Sequence, residues 1–498
     1  MNGKYIDIRL MNRFTDVVMA TMAVCFLAYL SVRAWAIPVT VDECSTVMTH
    51  VPRSVVDLFF LQTDANPNNH ILNTLMIKVF SGLFGFHPFV VRIPALLGAV
   101  LYAIAGFLLS RKIGKPGWLA VFTYLMLLGQ PYMLDFFSLA RGYSLGLGCM
   151  LTAIWFLQRW AERKSNTDIC WAVAFSGLAV YANFTQVLFF GPFMAILFLH
   201  SWKASESFSA FWAQTKYAVA ILIGWIVLLV VPLKKLSGHS EIKNWNRLDT
   251  LFGSAEWSME AAIHRNPLFG HSAAHFLAMF SVAFVMGAGY VAIKKWEINE
   301  QQARNDYRVK IVLLLVGMLL ANVAQVEITH TPYLQPRLAL LFWPPFALSI
   351  GIAASWFLET TKRSAWGAIV PLSIMAVVNT LVSANVSEAV EWWHDRDTYK
   401  VLAYLQNLQK EEQHPQPYTF DTSGPMQNSF IFHTQRDPRG YGQIIQLAPW
   451  HPNQAPSDKY EFYYAASKEE AQALSASYKV VLEIPRSDGR VLLRKENR

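Results

Sequence analysis

The sequence predicts an α-helical polytopic membrane protein with a small α/β domain at its C-terminal end. Hydrophobic residues make up 54% of the 498 residues and charged residues only 15%, whereas a soluble domain usually carries about 25% charged residues. Residues 1–390 break into apolar runs of about 17–24 residues, which suffice to cross a bilayer core about 30 Å thick. Residues 391–498 contain no such run and are rich in polar side chains.

We therefore predict a membrane domain at 1–390, with long external loops at 38–87 and 234–271, and a soluble domain at 391–498. About eleven transmembrane helices are expected, at 17–37, 88–110, 117–134, 140–159, 169–184, 186–201, 217–233, 272–293, 309–326, 337–358 and 365–385. In the soluble domain, helical patterns alternate with β-rich patterns, which predicts an α/β fold; the helical segments are Asp397–Gln409 and Lys468–Leu474, and the β-rich segments are Pro417–Asp421, Tyr478–Pro485 and Arg490–Arg494.

The first apolar run follows Lys4, Arg9 and Arg13 and ends near Ala34-Trp35-Ala36, a pattern that resembles a cleavable signal peptide. Because the run extends from Asp16 to Ile37, it is long for a signal peptide, and we interpret it as the first membrane helix. Lys and Arg in the short loops favour a cytoplasmic N-terminus, and an odd number of spans then places the C-terminal domain outside the cytoplasm. The net charge of +8 is explained by these loops, and we predict no nucleic-acid binding.

The first external loop begins with Asp42-Glu43, directly after the first helix, and later contains the polar run Asn66-Pro67-Asn68-Asn69-His70. From Ile71 to Phe84, apolar residues recur along one stripe of a helix, with Lys78 on the opposite face, so we expect this helix to lie in the membrane interface. A carboxylate at that depth can act as a general base. The alternative interpretation is that Asp42 and Glu43 only cap a helix end; Asp64 and Glu256 are candidates for a second acidic group.

Three arginines fall at the outer ends of predicted helices: Arg92, Arg141 and Arg337. Charged groups at membrane depth are costly and tend to face a cavity or a partner, and the planar guanidinium can bind two phosphate oxygens at once. Snorkelling to lipid headgroups is the alternative for each arginine alone. An external carboxylate base together with these arginines and Lys78 suits displacement at the anomeric carbon of a sugar, with a lipid phosphate as leaving group.

Several short motifs, in their order along residues 15–358, carry a family resemblance. The motifs are Asp42-Glu43, Asn-Asn-His-Ile-Leu-Asn-Thr-Leu at 68–75, Phe-Gly-Phe-His-Pro-Phe-Val-Val-Arg-Ile-Pro-Ala-Leu-Leu-Gly at 84–98, Ala-Arg-Gly-Tyr-Ser-Leu at 140–145, and Gln335-Pro336-Arg337 followed by Pro344-Pro345. The chain resembles GT-C glycosyltransferases of the protein O-mannosyltransferase and aminoarabinose lipid A transferase type. Asn68-Asn69-His70-Ile71 replaces the His-Pro-Pro segment of that family, and Leu338 stands where the family often has Tyr.

The resemblance implies an inverting transfer of a sugar from a polyprenyl-phosphate-linked donor, outside the cytoplasm, to a glycolipid, polysaccharide or protein acceptor. Asp42 would be the catalytic base, and Glu43 would support it or contact the acceptor. Four residues would contact the phosphate or sugar of the donor: His70, Arg92, Arg141 and Arg337. Lys78 joins them as a candidate on the interfacial helix.

We predict no metal and no other cofactor. His271 and His275 are spaced i, i+4, as in zinc-binding helices, but we interpret them, with His264, as interfacial histidines. The four cysteines form no C-x-x-C pair and read as small buried residues. A transporter or flippase is the main alternative function, although it would favour ionisable residues near the middle of the spans. A non-catalytic partner in a cell-envelope complex is a third.

Overall fold

The computed structural model describes residues 2–63, 66, 68–114, 117–237, 250–264, 266–298, 306–361, 365–450, 459–484 and 489–496. Parts of both predicted external loops fall outside these residues, including Asp64, Pro67 and the segment 238–249. The candidate second acid Asp64 therefore lies outside the described residues, whereas all seven candidate site residues lie within them.

Helices account for most of the described residues. They comprise Asn2–Ala36, Val41–Ser45, Val55–Phe60, Ile71–Phe84, Pro88–Ile113, Gly117–Leu128, Pro131–Phe137, Tyr143–Arg163, Asn166–Ala182, Val187–Ala204, Phe208–Ser237, Leu251–Ile263, His271–Ile298, Tyr307–Thr329, Pro336–Ala339, Trp343–Thr361, Trp366–Ser383, Thr398–Glu411, Gly424–Gln435 and Lys468–Ala473. Short 3-10 turns lie at Phe184–Gln186, Leu340–Phe342, Val390–Asp395 and Tyr441–Gln443, and a π-helical turn at Thr46–His50.

Within the described residues, eight helices are long and apolar enough to cross a membrane. A ninth span is formed if Gly117–Leu128 and Pro131–Phe137 are counted together, although they meet at an angle of 64°. The break between them follows from Pro131, which starts the second helix with Gln130 as its N-cap. The chain is therefore a multi-pass integral membrane protein, and the count of eleven spans stays a prediction.

The two remaining predicted spans correspond to Tyr143–Arg163 and Asn166–Ala182, which pack against each other as a helical hairpin. Lys164 ends the first of them in the left-handed conformation, with φ +55°, which is a common way to terminate a helix. The helix Tyr143–Arg163 also crosses Pro88–Ile113 closely at Gly98, where an added Cβ would lie 2.4 Å from the backbone nitrogen of Leu145. Small residues at such crossings allow membrane helices to approach each other.

The predicted interfacial helix forms at Ile71–Phe84. Its polar residues Asn73, Thr74 and Ser81 are buried in the protein, whereas Val79, Leu83 and Phe84 are more than half exposed. A helix that buries its polar face and exposes its apolar edge is stable where that edge meets lipid. The helix predicted at Ile71–Phe84 is therefore confirmed, and its position in the membrane interface stays a prediction.

The described residues form two compact units. The first contains Met1–Ser31, Val55–Asn73 and Pro94–Ala384, and the second contains Val32–Ser54, Thr74–Ile93 and Asn385–Arg498. The second unit thus holds the predicted C-terminal domain together with two segments of the predicted membrane domain. Each unit is described by itself below.

The second unit contains a five-stranded mixed sheet. Its strands are β1 (Tyr418–Thr422), β2 (Ile445–Leu447), β3 (Phe462–Ala465), β4 (Tyr478–Glu483) and β5 (Val491–Lys495), in the order β2-β1-β3-β5-β4. β1 is parallel to β2 and β3, whereas β5 is antiparallel to β3 and β4. The helix Thr398–Glu411 buries Val401, Leu402 and Leu405 in the core that the sheet shares with Gly424–Gln435. The predicted α/β character of the C-terminal region is confirmed, and its bounds as a separate domain at 391–498 stay a prediction.

Candidate active site

Asp42 lies on the short helix Val41–Ser45, which follows the first membrane helix after four residues. Thr40 and Glu43 form a capping box at its start, in which the Glu43 carboxylate accepts hydrogen bonds from the backbone N–H and hydroxyl of Thr40. This arrangement satisfies donors that the first turn of a helix would otherwise leave unpaired. Asp42 is half-buried in this first turn, and Glu43 is fully buried.

Glu43 and Arg92 form an ion pair in which both side chains are completely buried. Arg92 donates through Nε to Oε1 of Glu43 at 2.8 Å and through Nη2 to Oε2 at 2.7 Å. Its other three N–H groups donate to the carbonyl oxygens of Ala34, Ile37 and Pro38. A guanidinium has five N–H donors, and all five of Arg92 are engaged inside the second unit. Arg92 therefore holds in place the segment Ala34–Pro38 and Glu43, which lie on either side of Asp42 in the chain.

Lys78 contacts the other end of the same segment. Its ammonium donates to the carbonyl oxygens of Val51 and Arg53 at 2.7 and 3.0 Å, just after the π-helical turn Thr46–His50. A cation beside the last carbonyls of a helix is stabilising. Arg92 and Lys78 thus hold the two ends of the segment that carries Asp42.

A residue that the sequence analysis did not single out, Asp395, contacts the helix that carries Asp42. Asp395 Oδ2 accepts a hydrogen bond from the backbone N–H of Val41 at 3.0 Å, and its side chain is buried. Burial raises the pKa of Asp395 well above its ordinary value, and the nearby charges of Glu43 and Asp42 raise it further. Burial lowers the pKa of the adjacent His394 to about 4. Asp395 and Val41 are 354 residues apart in the chain, so no local sequence pattern could predict this contact.

The segment Val390–Asp395 is held in turn by Arg490, which is buried. Arg490 donates to the carbonyl oxygen of His394 at 3.0 Å, forms an ion pair with Asp397 at 3.1 Å, and lies over the ring of Trp393.

The thiol of Cys44 is also buried in this region, and burial raises its pKa to about 12. Cys44 is therefore a protonated packing residue. Cys149 is also buried, as predicted, whereas Cys170 is half-buried and the prediction of burial is wrong for Cys25, which is exposed.

In the first unit, Arg141 and His70 lie at one junction between the segments 68–73 and 140–143. Arg141 is buried and donates to the carbonyl oxygen and the side-chain oxygen of Asn68 at 3.4 and 3.1 Å. The side-chain amide of Asn73 donates to the carbonyl oxygen of Ala140 at 2.9 Å. Gly142 completes this junction, because a Cβ there would lie 1.8 Å from the carbonyl oxygen of Ala182 and 2.8 Å from Cβ of His70.

Arg337 is half-buried in the short helix Pro336–Ala339. This helix borders a cavity of about 310 Å³ that is almost wholly apolar. The cavity walls come from four helical regions and a fifth segment at 130–132; among the lining residues are Tyr132, Ala255, Met259, Val285, Leu319, Pro336 and Trp343. Cavities of this kind accommodate apolar ligands, and the neighbour of Pro336 in the chain is a guanidinium.

A run of aromatic rings extends from this cavity to His70. Tyr132, which lines the cavity, lies 5.1 Å from Phe136 between ring centroids, and Phe136 lies 4.6 Å from Tyr143. Tyr143 in turn lies 5.2 Å from the imidazole of His70. Edge-to-face packing of this kind is favourable beyond simple burial. It connects the cavity wall with the Arg141 junction inside one compact unit.

The candidate residues therefore form two groups. Asp42, Glu43, Lys78 and Arg92 lie in the second unit, and His70, Arg141 and Arg337 lie in the first. The convergence of Asp42 with Arg141 and Arg337 stays a prediction, as do the functional roles of all seven residues.

The histidines at 271 and 275 contact acidic side chains. Nδ1 of His275 lies 2.9 Å from Glu256, and His271 lies 3.6 Å from Glu260. Among the residues that the structure describes, no group of three His, Cys, Asp or Glu side chains is arranged to hold a metal ion. Glu256, the other candidate for a second acid, is engaged with these histidines.

Comparison with known proteins adds a family match and a shared fold. Residues 69–230, about a third of the chain, match the family model of dolichyl-phosphate-mannose-protein mannosyltransferases. No curated protein sequence matches the chain. The chain is similar in structure to ArnT from Cupriavidus metallidurans bound to undecaprenyl phosphate, with a TM-score of 0.51, 12% identity, and coverage of 96% of this chain and 97% of ArnT.

Two structures of the Archaeoglobus fulgidus oligosaccharyltransferase are more distant, both with a TM-score of 0.41 and 12% identity. One, in complex with zinc and sulfate, aligns over 72% of this chain and 52% of that chain. The other, tethered to an acceptor peptide, aligns over 84% of this chain and 62% of that chain. The chain therefore shares the fold of ArnT over nearly its whole length, and its residues 69–230 match the mannosyltransferase family model.

Proposed function

We propose that this protein is an inverting glycosyltransferase that moves a sugar from a polyprenyl-phosphate donor to an acceptor in the cell envelope. In this proposal the transfer takes place on the extracytoplasmic face, on which the distribution of Lys and Arg predicts Asp42 to lie. A glycolipid, a polysaccharide or a protein hydroxyl would each serve as the acceptor in this chemistry.

The observation that carries the proposal is the apolar cavity that Pro336 and Ala339 help to line. A polyprenyl phosphate combines a long apolar chain with an anionic head, and this cavity offers an apolar wall for such a chain. Arg337 does not line the cavity but follows its lining residue Pro336 in the chain. The family and structural similarities agree with such a ligand, because ArnT was crystallised with undecaprenyl phosphate and the matched family uses a dolichyl-phosphate-linked sugar.

The proposed reaction is a single displacement at the anomeric carbon. The Asp42 carboxylate removes the proton from the acceptor hydroxyl as the acceptor oxygen attacks. The bond between the anomeric carbon and the phosphate oxygen breaks, and polyprenyl phosphate leaves with the bonding electrons. Arg141 and Arg337 stabilise the negative charge that grows on that phosphate, which fixed cationic donors do most effectively in a water-poor site. The proposal includes no metal ion.

Glu43, Arg92, Lys78 and Asp395 have positioning roles in this proposal. The five donors of Arg92 are all bound within the second unit, so we assign it to holding Glu43 and the chain at Ala34–Pro38 in place. Lys78 and Asp395 hold the Asp42 segment at its other end and at Val41. A general base must be kept within hydrogen-bond reach of the proton it removes. The contacts of Glu43, Arg92, Lys78 and Asp395 fix the backbone on which Asp42 lies.

Binding of undecaprenyl phosphate tests the lipid part of the proposal. The wild type and two variants on the helix Leu251–Ile263 are purified in detergent and titrated with undecaprenyl phosphate, with bound lipid counted by native mass spectrometry. Ala255→Trp fills the cavity, because Ala255 lines it, whereas Ala261→Trp is the matched control, because Ala261 does not. We expect Ala255→Trp to lose most of the binding and Ala261→Trp to keep it; equal binding by both variants would refute a donor site in this cavity.

An activity assay with a lipid-linked sugar distinguishes sugar transfer by a glycosyltransferase from lipid transport by a flippase. Lipid-linked sugars extracted from the host membrane are supplied to the protein in liposomes, and release of free polyprenyl phosphate is measured together with movement of the lipid between leaflets. Release that depends on Asp42 supports the glycosyltransferase. Movement of intact donor between leaflets without release would support the flippase alternative instead.

A further inference from the structure

The helix Gly424–Gln435 packs against the short helix that carries the candidate base Asp42. His433, in the last turn of this helix, is completely buried, and its Nε2 accepts a hydrogen bond from the backbone N–H of Val39 at 3.4 Å. Val39 is also completely buried and lies between the first membrane helix and Asp42 in the chain. His433 therefore provides the acceptor for a backbone donor that water does not reach.

Asp437 fixes which nitrogen of His433 accepts. Nδ1 of His433 lies 2.7 Å from Oδ2 of Asp437, and both side chains are completely buried. A carboxylate oxygen only accepts, so Nδ1 carries the proton and donates to it, which leaves Nε2 unprotonated and able to accept from Val39. Burial lowers the pKa of His433 more than the Asp437 carboxylate raises it, which keeps the imidazole in this neutral form.

Arg439 keeps Asp437 ionised and in position. It donates through Nε to Oδ1 of Asp437 at 2.9 Å and through Nη2 to Oδ2 at 2.6 Å. Although burial raises the pKa of Asp437, the hydrogen bonds from His433 and Arg439 hold it below its ordinary value. Nη2 of Arg439 also donates to the hydroxyl of Tyr399 at 3.0 Å. One chain of hydrogen bonds thus leads from Arg439 through Asp437 and His433 to Val39.

A second contact from the same helix lies on the other side of Asp42 in the chain. The thiol of Cys44 contacts the backbone of Phe432, and both side chains are buried. Adjacent residues of one helix therefore contact the chain before and after Asp42. Because the backbone is held on both sides, the direction of the Asp42 side chain is restricted. These contacts are separate from those that Arg92 and Asp395 make with the same segment.

We propose that His433 is a positioning residue for sugar transfer. By accepting from the N–H of Val39, it fixes the chain from which the Asp42 helix starts. This inference rests on the proposed function, because it takes Asp42 as the general base. His433 is buried and acts through Val39 rather than on the substrate. A general base works only within hydrogen-bond reach of the proton it removes, and a misplacement of about 1 Å can lower turnover about 100-fold.

Two substitutions of His433 separate the two hydrogen bonds of its imidazole. In His433→Gln the side-chain amide reaches the position of Nε2, so its oxygen can accept from Val39, whereas the bond to Asp437 is lost. In His433→Asn the shorter side chain places its amide near the position of Nδ1, so it can donate to Asp437 but does not reach Val39. His414→Asn is the control, because His414 contacts Gln416 in the same unit and lies outside this chain of hydrogen bonds.

Two measurements on the purified full-length protein follow the variants. Hydrogen exchange with mass spectrometry reports on the amides of residues 37–45, and release of polyprenyl phosphate from lipid-linked sugars extracted from the host membrane gives kcat and KM. We expect His433→Asn to speed exchange in this segment about tenfold, because a buried donor loses its acceptor. It should also lower kcat about 10- to 100-fold with little change in KM. His433→Gln should restore most of both properties, and His414→Asn should match the wild type.

Equal effects of His433→Gln and His433→Asn on exchange and kcat would overturn the assignment, because the acceptor for Val39 would then not matter. Faster exchange in His433→Asn with an unchanged kcat would also overturn it and leave a purely structural contact. If His433→Asn does not fold, Asp437→Asn replaces it, since the imidazole then loses the carboxylate that fixes its tautomer, and the same two changes are expected. Absence of transfer by the wild type, with exchange responding as expected, would refute the proposed function while the contact between His433 and Val39 stands.

Discussion

Glu43 and Arg92 form two parallel hydrogen bonds, at 2.7 and 2.8 Å, between side chains that are both completely removed from solvent. Glu43 at the same time caps the helix that carries Asp42, so one carboxylate connects a helix start to the second membrane helix. Breaking a buried ion pair from one side is far more costly than replacing both partners by apolar groups, because the remaining charge has no counter-charge. Comparing a single substitution with a double substitution therefore tests whether the Glu43–Arg92 pair stabilises the fold.

Glu43→Ala should lower the free energy of unfolding by about 3–5 kcal/mol, because Arg92 would remain buried and charged. Glu43→Leu/Arg92→Met should recover a large part of that loss, since neither charge remains. Chemical denaturation in detergent measures both. The control is Lys294→Ala, which breaks an exposed pair with Glu297 and should change stability by less than about 1 kcal/mol. A double variant no more stable than Glu43→Ala would contradict a structural role for the pair.

Asp42→Asn should fold like the wild type and lose sugar transfer by about 10²–10⁴-fold, the usual contribution of a general base. Asparagine keeps the size of the side chain but cannot take up the acceptor proton. Release of polyprenyl phosphate from lipid-linked sugar measures the loss, and binding of undecaprenyl phosphate checks that the donor site is intact. Glu391→Gln, at an exposed carboxylate of the same unit, is the control. Unchanged transfer by Asp42→Asn would remove Asp42 as the base.

Asp395 predicts a pH dependence of stability. Its pKa is raised in the folded protein above its ordinary value of 3.8, first by burial and then by the charges of Glu43 and Asp42, so the folded state holds this proton more tightly than the unfolded state. The protonated Asp395 carboxyl therefore contributes to the free energy of unfolding. This contribution is complete below about pH 3.8 and is lost as the pH rises through the pKa of Asp395 in the folded protein. Asp395→Asn should therefore be more stable than the wild type at pH 8, with the difference shrinking towards acid.

The partner variant Asp395→Ala tests the hydrogen bond separately. Asparagine keeps an oxygen that can accept from the N–H of Val41, whereas alanine leaves that buried donor without its acceptor, at a cost of about 1–3 kcal/mol. Melting temperatures of both variants between pH 5 and pH 9 distinguish the two effects. Parallel pH profiles for the wild type and Asp395→Asn would show that this carboxyl does not titrate as proposed.

Arg141→Lys should weaken the binding of undecaprenyl phosphate by about tenfold while preserving the charge. Lysine cannot present the planar pair of N–H groups that binds two phosphate oxygens. Equilibrium binding of the lipid measures the effect. Arg111→Lys is the control, because Arg111 is half exposed and pairs with Asp16. An affinity for the lipid that matches the wild type would exclude Arg141 from the donor site.

The sequence by itself determined the membrane helices, the amphipathic helix at Ile71–Phe84 and the α/β character of the C-terminal region, since hydropathy and its periodicity are local properties. Helix capping was only the alternative interpretation of Asp42-Glu43, and the structure shows this capping for Glu43 at the start of Val41–Ser45. The sequence did not predict the strand Phe462–Ala465 and the helix Gly424–Gln435, whose short apolar runs do not distinguish strand from helix.

Only the tertiary structure decided which charges meet. Glu43 and Arg92 are 49 residues apart, and Val41 and Asp395 are 354 apart, so no pattern within a sequence window predicts either contact. The sequence treats Arg92 and Arg141 alike, as arginines at helix ends, yet the fold binds every donor of Arg92 inside the protein. In the same way, His433 is an ordinary helix residue in sequence, and packing alone brings its imidazole to the N–H of Val39.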